Sequence, residues 1–241
     1  MNIAIIGCGG TGGWAAQLLA KTLTEDDTLI LWDKDVFEER NMERQLMCKP
    51  GTFKAHALQD HLTPGSRATI QAITETWFTG DLEPLGSMVP DALFCCVDNH
   101  PARLRCLEFT DQRPESLCLV AGNEYDSFEA RVYRACFENH ERLDPRKLYP
   151  ELLTSHAGDP LQSCTGVVLE ASPQLALANM QAAAAMCRLW YFWTFKMPEL
   201  GFNARLDHPD PDTREALLPT IEVAIRGTSG SLTTHKLKGP A

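Results

Sequence analysis

The sequence predicts an α/β protein built on a Rossmann-like, mostly parallel sheet flanked by helices, with a mixed C-terminal part of the sheet. The apolar run at 2–6 indicates a parallel strand buried on both faces, and it leads directly into glycines. Strands and helices then alternate, which favours a parallel sheet with right-handed crossovers. Further strands are predicted at 28–32, 68–73, 92–97 and 117–121, and helices at 14–23, 53–62 and 101–111.

The pattern changes after residue 121. We expect a strand at 129–135 in the mixed part of the sheet, and a surface crossing loop at 139–163, which is rich in Pro, His and charged residues. A long helix is expected at 172–195, where alanines let neighbouring backbone approach closely. Its aromatic side chains favour packing in the core or in a dimer.

The C-terminal segment differs in composition from the rest of the chain. It is first Pro-rich and then rich in Gly and Ser, and it contains one expected strand at 220–225. We expect its last dozen residues to be mobile. The predicted organisation is therefore one domain at 1–206, followed by a partly flexible tail at 207–241.

The overall composition is that of an ordinary globular protein. The 241 residues are 44% hydrophobic and 22% charged, so a normal core can be buried without disulfides or metals. The formal net charge of −10 argues against a protein that coats nucleic acid or an anionic membrane, but it leaves room for a local basic pocket. No apolar run approaches the roughly 18 residues of a membrane span.

The nine cysteines indicate reduced thiols in a cytoplasm, because their number is odd and no signal peptide precedes the first strand. No Cys-x-x-Cys pair occurs, so the usual ligand spacing of a structural zinc site is missing. Seven cysteines fall on elements that we expect to be buried, and we interpret them as packing residues: Cys8, Cys95, Cys96, Cys106, Cys118, Cys136 and Cys187.

A glycine-rich loop follows the first strand. Gly7, Gly9 and Gly12 fit the dinucleotide fingerprint Gly-x-Gly-x-x-Gly between a strand and a helix, and Gly10 lies within it. Such glycines let backbone N–H groups approach phosphates at a helix N-terminus. Asp33, which ends the second strand, can accept hydrogen bonds from ribose hydroxyls. These features predict nucleotide binding, but they do not separate ATP from NAD.

The residues after the second strand favour a triphosphate. Asn41, Arg44 and Gln45 form an Asn-x-x-Arg-Gln motif, in which arginine can bind phosphate through two hydrogen bonds and asparagine can bind phosphate or orient the arginine. Lys54, at a helix start, can meet the departing phosphates. Asp98 ends a strand at the edge where α/β sheets bind ligands, and a carboxylate there suits Mg²⁺.

In these motifs the chain resembles the ThiF/MoeB family and the adenylation domains of ubiquitin-activating enzymes. The family pattern is a Gly-x-Gly-Gly-x-Gly loop, an Asp after the second strand, Asn-x-x-Arg-Gln, a Lys, and Asp-Asn-x-x-x-Arg. All occur here in that order, the last beginning at Asp98-Asn99 and ending at Arg103. Cys164, ahead of the long helix, is a further match. The resemblance covers about residues 1–195.

The resemblance implies an ATP-dependent adenylyltransferase that uses ATP and Mg²⁺. Asp33 would bind the ribose, whereas Arg44 and Lys54 would act catalytically by stabilising the charge on departing pyrophosphate. Asp98 would also be catalytic, as the ligand of Mg²⁺. The implied nucleotide-binding residues are Gly7, Gly9, Gly10, Gly12, Asp33, Asn41, Arg44, Gln45, Lys54 and Asn99.

The implied substrate is the C-terminal carboxylate of a ubiquitin-like or sulfur-carrier protein that ends in glycine. This carboxylate would attack the α-phosphate, with positioning and electrostatics supplying most of the rate. Cys164 would then be a catalytic nucleophile that accepts the acyl group as a thioester, a role that needs an exposed thiol of depressed pKa. Relatives dimerise through this domain, so a homodimer is expected.

Other functions remain open. The enzyme can adenylate a different carboxylate, such as a peptide or a modified tRNA base, although the net charge disfavours tRNA. The chain can also be a nucleotide-binding, non-catalytic partner of an activating enzyme. An NAD oxidoreductase is the last alternative, because no residue marks a hydride-transfer site. For single residues, Asp98 can instead cap the following helix, and Cys164 can be a small buried hydrophobe.

The chain also departs from the family pattern. In the sulfur-carrier relatives, a segment before the first strand carries an arginine that reaches the neighbouring subunit's site. Here that charge is missing or supplied from elsewhere. The zinc-binding cysteine pairs of many relatives are absent too. The chain therefore resembles the short stand-alone ThiF-type proteins of bacterial operons.

Overall fold

A computed structural model describes residues 1–42, 45–47, 49–75, 89–123, 127–137, 141, 143–154, 176–196, 221–228 and 231–237. The strands in these ranges are β1 (Asn2–Ile6), β2 (Thr28–Trp32), β3 (Thr69–Ile73), β4 (Ala92–Cys95), β5 (Leu117–Asn123), β6 (Ser127–Tyr133), β7 (Ile221–Thr228) and β8 (Ser231–Leu237). The α-helices are α1 (Gly10–Thr22), α2 (Lys54–Leu62), α3 (His100–Gln112), α4 (Pro145–Leu148), α5 (Glu151–Thr154) and α6 (Ala176–Tyr191). A π-helical turn at Phe192–Lys196 extends α6.

The strands form one sheet in the order β3-β2-β1-β4-β5-β6-β7-β8. Strands β1 to β5 are parallel, and β1 lies at the centre of this part, where the strand order reverses. Its residues Ile3, Ile5 and Ile6 are at most 1% exposed. A parallel strand covered on both faces needs apolar side chains at every position, which explains the unbroken apolar run. The reversal beside β1 is the point where open α/β sheets bind ligands.

Helices cover both faces of the parallel strands. Helix α1 contacts α2 and α6 on one face, whereas α3 contacts α5 on the other. Helix α6 lies close to α1 and β5 because its buried positions are mostly alanines, including Ala178, Ala182 and Ala183. Within the described ranges, no helix is both long and apolar enough to cross a membrane.

The mixed C-terminal part of the sheet is confirmed. Strands β6, β7 and β8 pair antiparallel and extend the sheet beyond β5. Strand β8 was not predicted: residues 231–237 pair with β7, although we expected the end of the chain to be mobile. Pairing with β7 supplies the backbone hydrogen bonds of this polar segment, and the composition of the segment does not reveal that pairing. The expected boundary after residue 206 lies outside the described residues.

Two further expectations need correction. Helix α1 begins at Gly10 rather than at residue 14, because glycines that usually break helices are required here for close packing. The expected crossing loop contains the short helices α4 and α5. They are held by buried leucines, Leu143 and Leu152, which the polar composition of the segment concealed. Helix α6 is described from residue 176, so the expected start at 172 lies outside the described residues.

Candidate nucleotide-binding site

Gly7 is the point where the ends of three parallel strands meet. Its backbone N–H donates a hydrogen bond to the carbonyl oxygen of Trp32, 2.9 Å away at the end of β2. Its φ of +90° lies in the left-handed region, which favours glycine. A Cβ at this position would lie 2.9 Å from the carbonyl oxygen of Cys96, just after β4. The tight turn therefore needs glycine for both conformation and space.

The N-terminus of α1 faces this turn without a side-chain cap. Its N-cap residue, Gly9, makes no capping hydrogen bond through a side chain, and the first turn of the helix carries no acidic residue. Such a helix end leaves backbone N–H groups available and favours a bound anion. A Cβ on Gly12 would lie 1.9 Å from the carbonyl oxygen of Gly7. The helix thus approaches the turn more closely than any side chain would permit.

Asp33 joins the end of β2 to the glycine loop. Its carboxylate accepts a 2.7 Å hydrogen bond from the backbone N–H of Cys8 and a 2.8 Å hydrogen bond from that of Asp35. Burial raises the pKa of Asp33, whereas the two N–H groups and the charge of Lys54 lower it. The predicted ribose ligand is therefore also a structural anchor, because each of its oxygens already receives one backbone hydrogen bond.

Lys54 is the first residue of α2, and its ammonium group is directed toward the same loop. The side chain is largely buried, and Nζ lies 3.6 Å from a carboxylate oxygen of Asp35. The backbone N–H of Lys54 donates to the carbonyl oxygen of Asp35 over 2.9 Å. The positive charge of Lys54 lowers the pKa of Asp33 and of the Cys8 thiol. The structure therefore brings Lys54 and Asp33 together beside the glycine loop.

Of the Asn-x-x-Arg-Gln motif, the structure describes the two amides. Asn41 is 5% exposed, and its Oδ1 accepts a 3.0 Å hydrogen bond from the backbone N–H of Glu38 in a capping box around a 3₁₀ turn. The side-chain nitrogen of Gln45 lies 3.8 Å from the Cβ position of Gly9. The Oε1 of Gln45 is buried without a hydrogen-bond partner among the described residues. Gln45 therefore faces the glycine loop, while Arg44 lies outside the described residues.

Asp98 and Asn99 are adjacent in the sequence, but their side chains differ in their contacts. Asn99 is the N-cap of α3, and its side chain accepts a 2.9 Å hydrogen bond from the backbone N–H of Ala102. Asp98 is exposed and makes no hydrogen bond or ion pair among the described residues. The helix cap is thus Asn99, which leaves the Asp98 carboxylate available to a ligand. Asp98 follows Cys96 and Val97, whose atoms a Cβ on Gly7 would meet within 3.2 Å.

The described residues contain no cluster of three or more metal-ligating side chains. Mg²⁺ does not require one, because it is usually held by one or two carboxylates together with phosphate oxygens and water. Strand β4 ends at Cys95, earlier than the predicted 97, so that Asp98 lies three residues beyond it. Its carboxylate, which has no partner among the described residues, fits that mode of binding. Asp98 would hold the ion there, and the ion would neutralise charge on the phosphates.

One buried amide beneath the loop was missed by the sequence reasoning. Asn179 on α6 is 1% exposed, and its Oδ1 accepts hydrogen bonds from the Thr11 hydroxyl and the Asn123 amide. A Cβ on Gly10 would lie 2.4 Å from the Nδ2 of Asn179. These contacts connect α6 to α1 and β5. The sequence feature that could have identified Asn179 is that it is a single asparagine within an alanine-rich helix.

The cysteines of the described residues are all free thiols. Cys8, Cys95, Cys106 and Cys118 are buried as predicted, whereas Cys96, Cys136 and Cys187 are partly buried. Burial raises the pKa of Cys8, Cys96, Cys106, Cys118 and Cys187. These five are therefore not activated nucleophiles. Cys48 and Cys164 lie outside the described residues.

Solved structures with the same fold include those of Escherichia coli MccB and of PaaA. Escherichia coli MccB with ATP superposes with a TM-score of 0.61 at 20% identity, and the match covers 98% of this chain and 63% of MccB. E. coli MccB with AMPCPP and MccA has the same scores and coverage. PaaA superposes with a TM-score of 0.63 at 15% identity, with 98% and 63% coverage. This chain thus spans less than two thirds of the length of these proteins.

These superpositions establish that the chain shares the fold of MccB and PaaA. No curated protein matches the chain in sequence. A family model, that of the ThiF family, matches residues 1–203, which includes the glycine loop, the Asn-x-x-Arg-Gln motif and the Asp-Asn pair. The chain belongs to the ThiF family.

Proposed function

We propose that this protein uses ATP and Mg²⁺ to adenylate the carboxylate of a protein or peptide substrate. The observation that carries the proposal is the uncapped N-terminus of α1 with Asp33 and Lys54 beside its glycine loop. Asp98 follows Cys96 and Val97, which pack against Gly7, and it has no partner among the described residues. An NAD oxidoreductase needs the glycine loop and Asp33, but it needs neither a buried lysine nor a free carboxylate at the end of β4. A triphosphate with its metal ion uses both.

In the proposed reaction, a substrate carboxylate oxygen attacks the α-phosphorus of ATP. The bond between that phosphorus and the bridging oxygen breaks, and pyrophosphate leaves with the electron pair. The products are an acyl adenylate and pyrophosphate. The chain's own groups supply charge and position: the N–H groups of α1 bind phosphate oxygens, and Lys54 and Arg44 stabilise the negative charge on the leaving group.

The substrate is proposed more narrowly as a C-terminal carboxylate. Support comes from the family and from MccB, which has been solved with MccA and with ATP. A ubiquitin-like or sulfur-carrier protein and a shorter peptide both present such a group. Transfer of the acyl group to Cys164 as a thioester belongs to the first possibility. A non-catalytic role is less well supported, since Lys54 lies beside the loop and the chain retains Asp98.

Calorimetric titration with Mg·ATP and with NAD tests the proposal. We expect Mg·ATP to bind, and to bind more tightly than NAD. Lys54→Met should weaken ATP binding about 10- to 150-fold, because a hydrogen bond to a charged group contributes about 1.5–3 kcal/mol. The matched control is Lys147→Met on α4, where the lysine is exposed; it should leave the affinity unchanged. Tighter binding of NAD, or equal effects of the two variants, would overturn the proposed nucleotide site.

A further inference from the structure

The side chain of Asn179 lies between the first turn of α1 and the carboxyl end of β5. It is 1% exposed, and its Oδ1 accepts a 3.1 Å hydrogen bond from the Thr11 hydroxyl on α1. The same oxygen accepts a hydrogen bond from the side-chain amide of Asn123, the last residue of β5. One buried carboxamide therefore joins the three elements α6, α1 and β5 beside the proposed phosphate-binding turn.

The carboxamide of Asn179 also fills the space beside Gly10, the first residue of α1. A Cβ on Gly10 would lie 2.4 Å from Nδ2, 2.6 Å from Cγ and 2.8 Å from Oδ1 of Asn179. Gly12 lies about 200° further around the helix axis, and a Cβ there would meet the carbonyl oxygen of Gly7. The first turn of α1 is therefore held on two opposite sides, by the turn at Gly7 and by Asn179.

Helix packing alone does not account for an asparagine at this position. The buried residues of α6 are mostly alanines and larger apolar residues, whereas Nδ2 of Asn179 is buried with no hydrogen-bond partner among the described residues. An unpaired buried donor costs free energy, and alanine or leucine would not introduce one. Asparagine is also a weaker helix former than either residue. Departures from such local rules are expected at functional sites, so the residue indicates a role in the site.

We propose that Asn179 is a positioning residue of the nucleotide site. It fixes the N-terminus of α1 at the distance from the sheet at which the backbone N–H groups reach the phosphates, and it acts through Thr11 and Gly10 rather than by touching the nucleotide. The proposal rests on the proposed function. It adds that triphosphate binding depends on α6, a helix that supplies none of the proposed nucleotide ligands.

The test compares the binding of Mg·ATP and of adenosine to the full chain by isothermal titration. Adenosine shares the base and ribose of ATP but has no phosphates, so its affinity does not depend on the N–H groups of α1. Asn179→Ala removes both hydrogen bonds and the packing against Gly10. We expect it to weaken Mg·ATP binding about 10- to 100-fold, because a displacement of about 1 Å at a binding site can have an effect of that size. Adenosine binding should be unchanged.

Thr11→Val is the milder variant, because it replaces the hydroxyl with a methyl group of similar size. It should weaken Mg·ATP binding about 2- to 10-fold, the factor for one net hydrogen bond, and leave adenosine binding unchanged. The matched control is Thr110→Val, at a fully buried threonine on α3 whose hydroxyl donates to the carbonyl oxygen of Cys106. Both variants lose a buried hydroxyl, but only Thr11→Val should lower the affinity for Mg·ATP. This comparison decides the proposal even if Asn179→Ala does not fold.

The double variant tests whether the two residues act through one contact. Thr11→Val combined with Asn179→Ala should bind Mg·ATP no more weakly than Asn179→Ala alone, because the hydroxyl has already lost its partner. Equal losses for adenosine and Mg·ATP, losses that multiply in the double variant, or an equal effect of Thr110→Val would overturn the positioning role. Normal Mg·ATP binding by both single variants would refute that role alone, whereas a wild-type chain that binds no Mg·ATP would refute the proposed function itself.

Discussion

Replacing Gly12 with alanine places a methyl group against backbone that cannot move aside. The new Cβ would lie 1.9 Å from the carbonyl oxygen of Gly7, and contacts below 3.0 Å essentially do not occur. The two segments must therefore separate by at least the difference, 3.0 − 1.9 = 1.1 Å. Such overpacking costs typically about 1–3 kcal/mol. For a chain of this length, about 2 kcal/mol lowers Tm by about 4–8 °C.

The same displacement moves the N-terminus of α1 away from the turn at Gly7. Backbone N–H groups at that helix end are the proposed phosphate ligands, and a misplacement of about 1 Å at a binding site can cost about 100-fold. We therefore expect Gly12→Ala to lose most of its ATP binding while keeping its secondary structure. Scanning calorimetry measures the change in stability, and isothermal titration with Mg·ATP measures the change in affinity.

Gly13→Ala is the matched control, because it makes the same change one residue further along the same helix. Among the described residues, its Cβ would meet the Leu46 Cβ alone, at 4.0 Å, which is ordinary van der Waals contact. In a helix interior, alanine is more stable than glycine by about 0.5–1 kcal/mol. Gly13→Ala should therefore raise Tm slightly and bind ATP normally. If both variants showed equal Tm and affinity, the close approach of α1 to Gly7 would not be what requires glycine at position 12.

Three further predictions follow from the site and the surface. Asp98→Ala should abolish Mg²⁺-dependent ATP–pyrophosphate exchange in the presence of the acyl substrate without lowering Tm, because it removes the proposed metal ligand. Asn99→Ala should lower the free energy of unfolding by about 1 kcal/mol, because it removes the cap of α3; a loss of stability in Asp98→Ala with exchange retained would make Asp98 the structural residue. Cys164→Ser should keep adenylation. It should lose any covalent substrate adduct that is seen on non-reducing gels and is cleaved by added reductant; an adduct that is unchanged in the variant would exclude a thioester at this cysteine. Helix α6 and its π-helical extension expose Leu177, Met180, Tyr191 and Phe195, so light scattering should give about twice 26.8 kDa; a clean monomer would refute the dimer.

Much of the parallel half of the fold was predictable from local pattern. Strands β1 and β2 and helix α2 were predicted to within one residue, because apolar runs bounded by glycine, proline or charge are local signals. Strand β8 and the helices α4 and α5 were not predicted. Their stability comes from pairing with β7 and from buried leucines such as Leu143 and Leu152, and neither contact is visible in local composition.

The candidate site, like the fold, was only partly predictable from the sequence. The glycine loop, Asp33, Lys54 and Asp98 were proposed from the sequence alone, since they belong to short motifs of restricted residue type and spacing. The sequence could not decide which of Asp98 and Asn99 caps α3, because both residue types are good caps. The structure assigns the cap to Asn99 through its hydrogen bond to the Ala102 N–H.

The sequence by itself therefore determined the family motifs, the nucleotide loop and the parallel core, because these depend on residues close together along the chain. Only the tertiary structure brought Asn179 to Thr11 across 168 residues and placed its amide beside Asn123 of β5. Burial and hydrogen-bond pairing are properties of neighbours in space. They exist only once distant segments have packed together.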